Sequence, residues 1–424
     1  MINNLYKFIN TNSIENKHFE LLSYEFDSRF YHYGDNFILS REGFNFYKLK
    51  IKLRVYKYFL YLINLFSRKP ELENKKIVIN SAYFNLQSHF CKTDFVLLQP
   101  PWDCQLHDCK YYNFQFLRKT YEIKEKILFS NFSFISSNEF KVYIDDYIEE
   151  LEKELIRIGV KSIFLSNDLG FFEKTIISIS QKYKITTFNF IHGLPGVYNI
   201  MDNNRCNYLV VWGNEIKNNF IKAGFDENKI LVSGHPIIKP IIRDNINFSL
   251  ENILILGKSL PGSHWSHNDI LPDRSNLIYY LLSIQSVLIE LGVQKVRFRP
   301  HPSENVNWYL KYIDNNFFIP DTQSIADSIN ESTLIIGPTS SVFLESINAG
   351  VNYIVYEPKL NNGLGLDGYE IIAPFDGSNK NVPIANDTLT LKSIILKRQI
   401  VNKNILLEYL NKKFDLEIIL NKIK

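Results

Sequence analysis

From residue 76 onward, short apolar runs rich in β-branched and aromatic residues alternate with longer stretches of helical periodicity. Few architectures accommodate that alternation. A strand that is apolar on both faces must be covered on both faces, and a parallel sheet flanked by crossover helices does this. The candidate strands are Lys76 to Asn80, Phe95 to Leu98, Ser162 to Ser166, Ile185 to Ile191 and Tyr208 to Trp212, then Ile253 to Leu256, Val296 to Arg299, Leu334 to Ile336 and Tyr353 to Tyr356. Two doubly wound, Rossmann-like α/β domains are expected, with a cleft between them. Residues 235–251 carry two prolines, lose periodicity and suit a linker. The expected division is an N-terminal extension over 1–75 in or on the first domain, a first domain over 76–240, a second over 241–400, and a C-terminal helix over 401–424.

Composition narrows the function classes. Hydrophobic residues make up 45% and charged residues 22%, which suits a packed protein and not a disordered one. The 48 basic against 45 acidic residues leave a net charge of +3, too small for wholesale nucleic-acid binding. Any anion site must therefore be local. Four cysteines cannot form a disulfide framework in 424 residues, so a reducing cytoplasm is expected. Neither a signal peptide nor an apolar run long enough to cross a bilayer is expected. The run Tyr58 to Phe66 has basic residues on both sides, from Lys48 to Lys57 and at Arg68 and Lys69. It reads either as an amphipathic segment on the inner face of the cytoplasmic membrane or as an ordinary packed helix.

In open parallel sheets, ligands bind beyond the carboxyl ends of the strands. Four loops there carry chemistry. The strand ending in Arg299 runs into Pro300, His301 and Pro302, where an imidazole and a guanidinium could meet a phosphate. Gly337 and Pro338 lead into Thr339, Ser340 and Ser341 at the start of a helix; free N–H groups and hydroxyls there favour phosphate, or the hydroxyls simply cap. Glu345, a turn later, could accept from ribose hydroxyls. His192 and Gly193 open the loop HGLPG, in which the imidazole suits a general base or a phosphate contact. Asp168, in NDLG, is another candidate base and equally a helix N-cap. Lys258 follows the first strand of the second set and is a secondary candidate for phosphate, without the spacing of an NTPase phosphate loop.

Other clusters are weaker. His89, Cys91, Cys104, His107 and Cys109 could hold zinc, but they lack paired CxxC spacing and also read as structural. Asp145 and Asp146 fall in a helical pattern and read as a solvated face.

Together, HGLPG, RPHP and GPTSS followed by a helix with glutamate resemble GT-B glycosyltransferases of bacterial surface polysaccharide synthesis. Within that class they are similar to the bacterial sialyltransferase and polysialyltransferase group, and to CDP-glycerol glycerophosphotransferases. The resemblance covers about residues 160–357. It implies a nucleotide-sugar donor, held without a metal by His301, Ser340 and Ser341, with a CMP-activated acidic sugar such as sialic acid or Kdo as the leading donor class. It implies an oligosaccharide or lipid-linked glycan acceptor in capsule or lipopolysaccharide synthesis. The sialyltransferase pattern has two acids followed directly by glycine where this chain reads Asn167, Asp168, Leu169, Gly170. The glycerophosphotransferase pattern favours His192, so both bases stay open. CDP-polyol transfer, UDP- or GDP-sugar transfer, nucleotide-sugar 2-epimerisation and a catalytically inactive binding subunit are the alternatives.

Overall fold

A computed structural model describes residues 18–27, 46–67, 77–80, 86–90, 95–97, 109–130, 132–198, 204–258, 271–301, 309–366 and 369–423. Two six-stranded, wholly parallel sheets organise them. The first contains β1 (Ile77–Asn80), β2 (Phe95–Leu97), β3 (Ser162–Leu165), β4 (Thr186–Phe190), β5 (Tyr208–Val211) and β6 (Ile230–Val232), in the order β2-β1-β3-β4-β5-β6. The second contains β7 (Ile253–Leu256), β8 (Val296–Arg299), β9 (Phe318–Pro320), β10 (Leu334–Gly337), β11 (Asn352–Tyr356) and β12 (Ile384–Ala385), in the order β12-β11-β10-β7-β8-β9. Each is a doubly wound α/β sheet, as the sequence pattern requires. β3, β7, β10 and β11 are buried at every residue, which explains their unbroken apolar runs.

The helices start and stop where local chemistry dictates. The helix Asn138–Ile158 begins at Ser137, whose hydroxyl accepts from the Phe140 N–H at 3.2 Å, and ends at Gly159 in the left-handed region. Its buried face, including Phe140, Ile144, Leu151 and Leu155, packs against the Phe114–Phe129 helix and the first sheet. Burying each such side chain contributes about 1.5–3 kcal/mol. Asp145 and Asp146 lie on the outer face of this helix, paired with His18 at 2.9 Å and Lys119 at 2.5 Å.

Residues 18–27 dock onto the first domain. Phe19, Leu22 and Phe26 enter its core, and the Glu25 carboxylate accepts from the Phe171 N–H at 2.9 Å. The C-terminal segment differs from the single helix expected over 401–424. It forms two short helices, Ile405–Tyr409 and Glu417–Leu420, and crosses back onto the first domain. The Asn411 N–H donates to the Trp212 carbonyl at 2.8 Å and the Asp415 N–H to that of Ser233 at 2.6 Å. Gly213 and Gly234 permit this crossing: a Cβ on either would collide with the backbone of Tyr409 or Lys413. One apolar cluster consequently runs from Phe188 and Leu209, through Ile405 and Leu410, to Phe343 and Tyr353. That continuous core couples the two sheets.

Candidate functional site

In the second sheet the chain winds outward from β7 through β8 to β9, then lays β10 on the other side of β7 and continues to β12. The winding direction reverses between β7 and β10, and a crevice opens beyond their carboxyl ends. In the first sheet the reversal falls between β1 and β3. A cleft of about 410 Å³ lies between the domains, lined by Pro195, Gly196 and Val197 from one side, Lys258 and Thr339 from the other, and the Tyr369–Phe375 loop. Thus the HGLPG loop meets the loops after β7 and β10 at one cavity.

The loop after β4 carries two glycines and the candidate base. Gly193 and Gly196 have no left-handed φ, and a Cβ on either would meet nothing within 4 Å. Neither glycine is explained by the turn or by packing. His192 is exposed, and its Nδ1 lies 2.9 Å from the Ser166 carbonyl at the end of β3. A carbonyl can only accept, so Nδ1 carries the proton and the basic lone pair of the neutral ring is on Nε2. The pairing of β3 with β4 creates this contact between residues 26 apart.

Asp168 occupies a different environment. It is fully buried, its Oδ2 accepts from the Arg205 N–H at 2.9 Å, and the Arg205 guanidinium lies 3.7 Å from Oδ1. It pins the segment before β5. It is not a helix cap either, because the following helix begins at Phe171 with Gly170 as its N-cap.

On the second domain, Gly257 allows the ends of β7 and β8 to approach: its Cβ would lie 3.1 Å from Pro300 Cα and 3.4 Å from His301 N. His301 therefore sits beside Lys258. It is solvent-exposed, yet the atoms crowding its ring push its pKa below the ordinary value by desolvation. Arg299 is not held toward the cleft. Its guanidinium donates to the Gln323 carbonyl at 2.7 Å and lies 3.4 Å from the buried Asp321 carboxylate, tying β8 to the start of the Ile325–Asn330 helix. Pro302 lies outside the described residues, as do Cys91, Cys104 and His107. Among the described residues no cluster of histidine, cysteine or carboxylates could hold a metal. His89 packs its ring on Phe414, 4.7 Å between centroids, and Cys109 is buried.

The helix Val342–Ala349 opens at Ser341, whose hydroxyl makes no capping bond, while the Ser340 hydroxyl accepts from the Val342 N–H at 3.2 Å. Only Ser340 thus performs the local role open to both. Gly337 is required here because a Cβ would strike the Tyr353 hydroxyl, which donates to the Pro338 carbonyl at 2.7 Å. Glu345 is half-buried in the first turn, and desolvation raises its carboxyl above the ordinary range.

Sequence reasoning missed Glu357. It is fully buried just beyond β11, forms an ion pair with the Lys258 ammonium, and accepts from the Thr339 N–H at 2.9 Å. One carboxylate thereby joins the loops after β7, β10 and β11. The available signal was an acid immediately after a fully apolar strand, in NYIVYEP.

No protein-family model and no curated protein matches this sequence. Among solved structures it is similar to the Methanocaldococcus jannaschii UDP-GlcNAc 2-epimerase in complex with UDP-GlcNAc and UDP, at 15% identity and a TM-score of 0.48, covering 82% of this chain and 98% of that one. It is also similar to the wall teichoic acid polymerase TagF (12% identity, TM-score 0.42, 89% of this chain and 97% of that one). A third is the lipopolysaccharide outer core galactosyltransferase WaaB (10% identity, TM-score 0.39, 66% and 79%). At that level of identity and superposition, these likenesses carry no argument about the reaction.

Proposed function

We propose that the protein is a GT-B glycosyltransferase that moves a sugar from a nucleotide-activated donor to a glycan hydroxyl. The observation that carries this reading is the cleft that unites the HGLPG loop with Lys258 and Thr339, together with the His192 imidazole of that same loop, oriented with Nε2 as its base. In the proposed step, Nε2 of His192 takes the acceptor hydroxyl proton as that oxygen bonds to the anomeric carbon. The bond from that carbon to the phosphate oxygen breaks, and the nucleotide leaves with the electron pair. The N-terminus of the Val342–Ala349 helix, with Ser340 and Ser341, stabilises the departing phosphate. His301 donates to it as a neutral ring, and Glu345 accepts from ribose. Of the two candidate bases His192 is preferred, because Asp168 is buried against Arg205.

Within this class we assign a CMP-linked acidic sugar as donor, on the strength of the His-Pro and Ser-Ser motifs, held without a metal ion. The acceptor is a surface-polysaccharide glycan, oligosaccharide or lipid-linked. A thermal-shift comparison of CMP, CDP, UDP and GDP tests the donor, since binding to the native state raises the melting temperature. A response to UDP alone would remove the CMP assignment and leave glycosyl transfer standing. Release of free nucleotide only when acceptor is present supports transfer, whereas interconversion of the donor without acceptor replaces it by epimerisation. His192→Ala and His301→Ala should each lower turnover about 10²–10⁴-fold with the fold intact; full turnover in both would overturn the site.

A further inference from the structure

Outside the cleft, the most unusual surface is on the helix Phe46–Phe66. Its exposed apolar side chains include Ile51, Val55, Phe59, Leu62, Leu65 and Phe66, with Phe66 86% exposed. Their spacing places them on one stripe, about 120° wide at roughly 100° per residue. The exposed Lys52 and Arg54 fall on either border of that stripe. The opposite face holds the helix to the body: Leu60 is fully buried, and the Asn64 amide donates to the carbonyls of Cys109 at 2.6 Å and Tyr112 at 2.9 Å. The stripe is therefore fixed outward.

We propose that this face seats the protein on an anionic phospholipid bilayer, lying in the interface without crossing it. The assignment is independent of the reaction in the cleft. Charge selects the occupant. Phe46–Phe66 contains five basic residues and no acid, all five in Phe46–Lys57, with the apolar residues densest beyond it. A second copy laid parallel would set cations against cations, and one laid antiparallel would bury cations under apolar side chains. Arg54 and Lys57 share one partner, Glu125, at 3.1 Å each, so the face stays net positive. A bilayer with anionic headgroups satisfies both halves of the helix, accepting the apolar stripe and attracting the cations. No described helix is long and apolar enough to span a membrane.

The test is flotation of the full-length chain with vesicles of phosphatidylcholine alone or mixed with phosphatidylglycerol. The wild type should bind the mixed vesicles, and less so as salt rises. Phe59→Glu with Leu62→Glu should weaken binding at least about a hundredfold. Lys52→Glu with Arg54→Glu should weaken it about tenfold or more on mixed vesicles only. An unchanged melting temperature in both variants excludes misfolding as the cause, and Lys52, Arg54, Phe59 and Leu62 are all exposed. Equal binding to neutral and mixed vesicles, no binding at all, or variants that bind like wild type would each overturn the proposal. So would sedimentation as a dimer that both variants convert to monomer, which would assign the face to a second copy.

Discussion

Replacing Glu357 by leucine tests whether the three loop ends of the second domain form one unit. The substitution removes the carboxylate paired with the Lys258 ammonium, a residue only 5% exposed, and the acceptor of the Thr339 N–H. Leaving one partner of a buried ion pair unmatched costs about 3–5 kcal/mol. An orphaned buried N–H costs about 1–3 kcal/mol more, and the two overlap because both groups turn to the same space. A net loss of about 4 kcal/mol is expected, a fall of roughly 8–16 °C in the melting of a domain of this size. Lys258→Met combined with Glu357→Leu removes both charges and should recover most of that loss, leaving chiefly the Thr339 N–H. Melting followed by tryptophan fluorescence for wild type, both single variants and the double variant gives the coupling. A Glu357→Leu loss below about 1 kcal/mol, or losses that simply add in the double variant, would refute a shared buried pair.

Three further outcomes follow from the geometry. Glu345→Gln should raise the melting temperature at neutral pH: burial raises the folded-state pKa, so the penalty on the wild type is absent below the ordinary carboxyl value of about 4.3 and grows as pH rises through the folded value. The gain should vanish near pH 4; a gain independent of pH would assign it to packing. Asp168→Ala should destabilise the first domain by about 1–3 kcal/mol, because the Arg205 N–H loses its buried acceptor, whereas His192→Ala should leave melting within about 0.5 kcal/mol. Equal melting of the two variants would reverse the roles given to them. Gly234→Ala should loosen the C-terminal segment, since φ is +86° there and the new Cβ would meet the Lys413 carbonyl oxygen, and faster proteolysis after residue 400 is its measurable sign.

Nine strands were legible as short runs rich in apolar, β-branched or aromatic residues, the three-residue β2 because its run FVLL continues past the strand, and β8 although it reads VRFR. β6, β9 and β12 were not: they have two or three residues, and β9 contains Pro320. β6 and β9 are outermost in their sheets, as is β12. An outermost strand pairs on one side only, so it needs little length and tolerates proline, and it leaves little pattern. The loops of the site were legible for a related reason, since the carboxyl end of a buried strand is where a parallel sheet binds ligands. The direction of the Arg299 side chain was not, because the strand pattern places a residue on a face without naming what waits there. Asp321, which receives it, is 22 residues away.

Local sequence thus determined what each segment can be: period two or unbroken apolarity for a strand, helical spacing for a crossover, glycine and proline at a turn. It also marked the residues capable of acid, base or phosphate chemistry. Tertiary structure decided which of them meet. The adjacency of β3 and β4 oriented His192, burial against Arg205 withdrew Asp168, and the convergence of three strand ends placed Glu357 on Lys258 and Thr339. It also decided which side of the Phe46–Phe66 helix faces outward, through two carbonyls 45 and 48 residues away from Asn64. Periodicity is a property of neighbouring residues, whereas burial and charge pairing depend on contacts distant in the chain, and only the packed fold selects those.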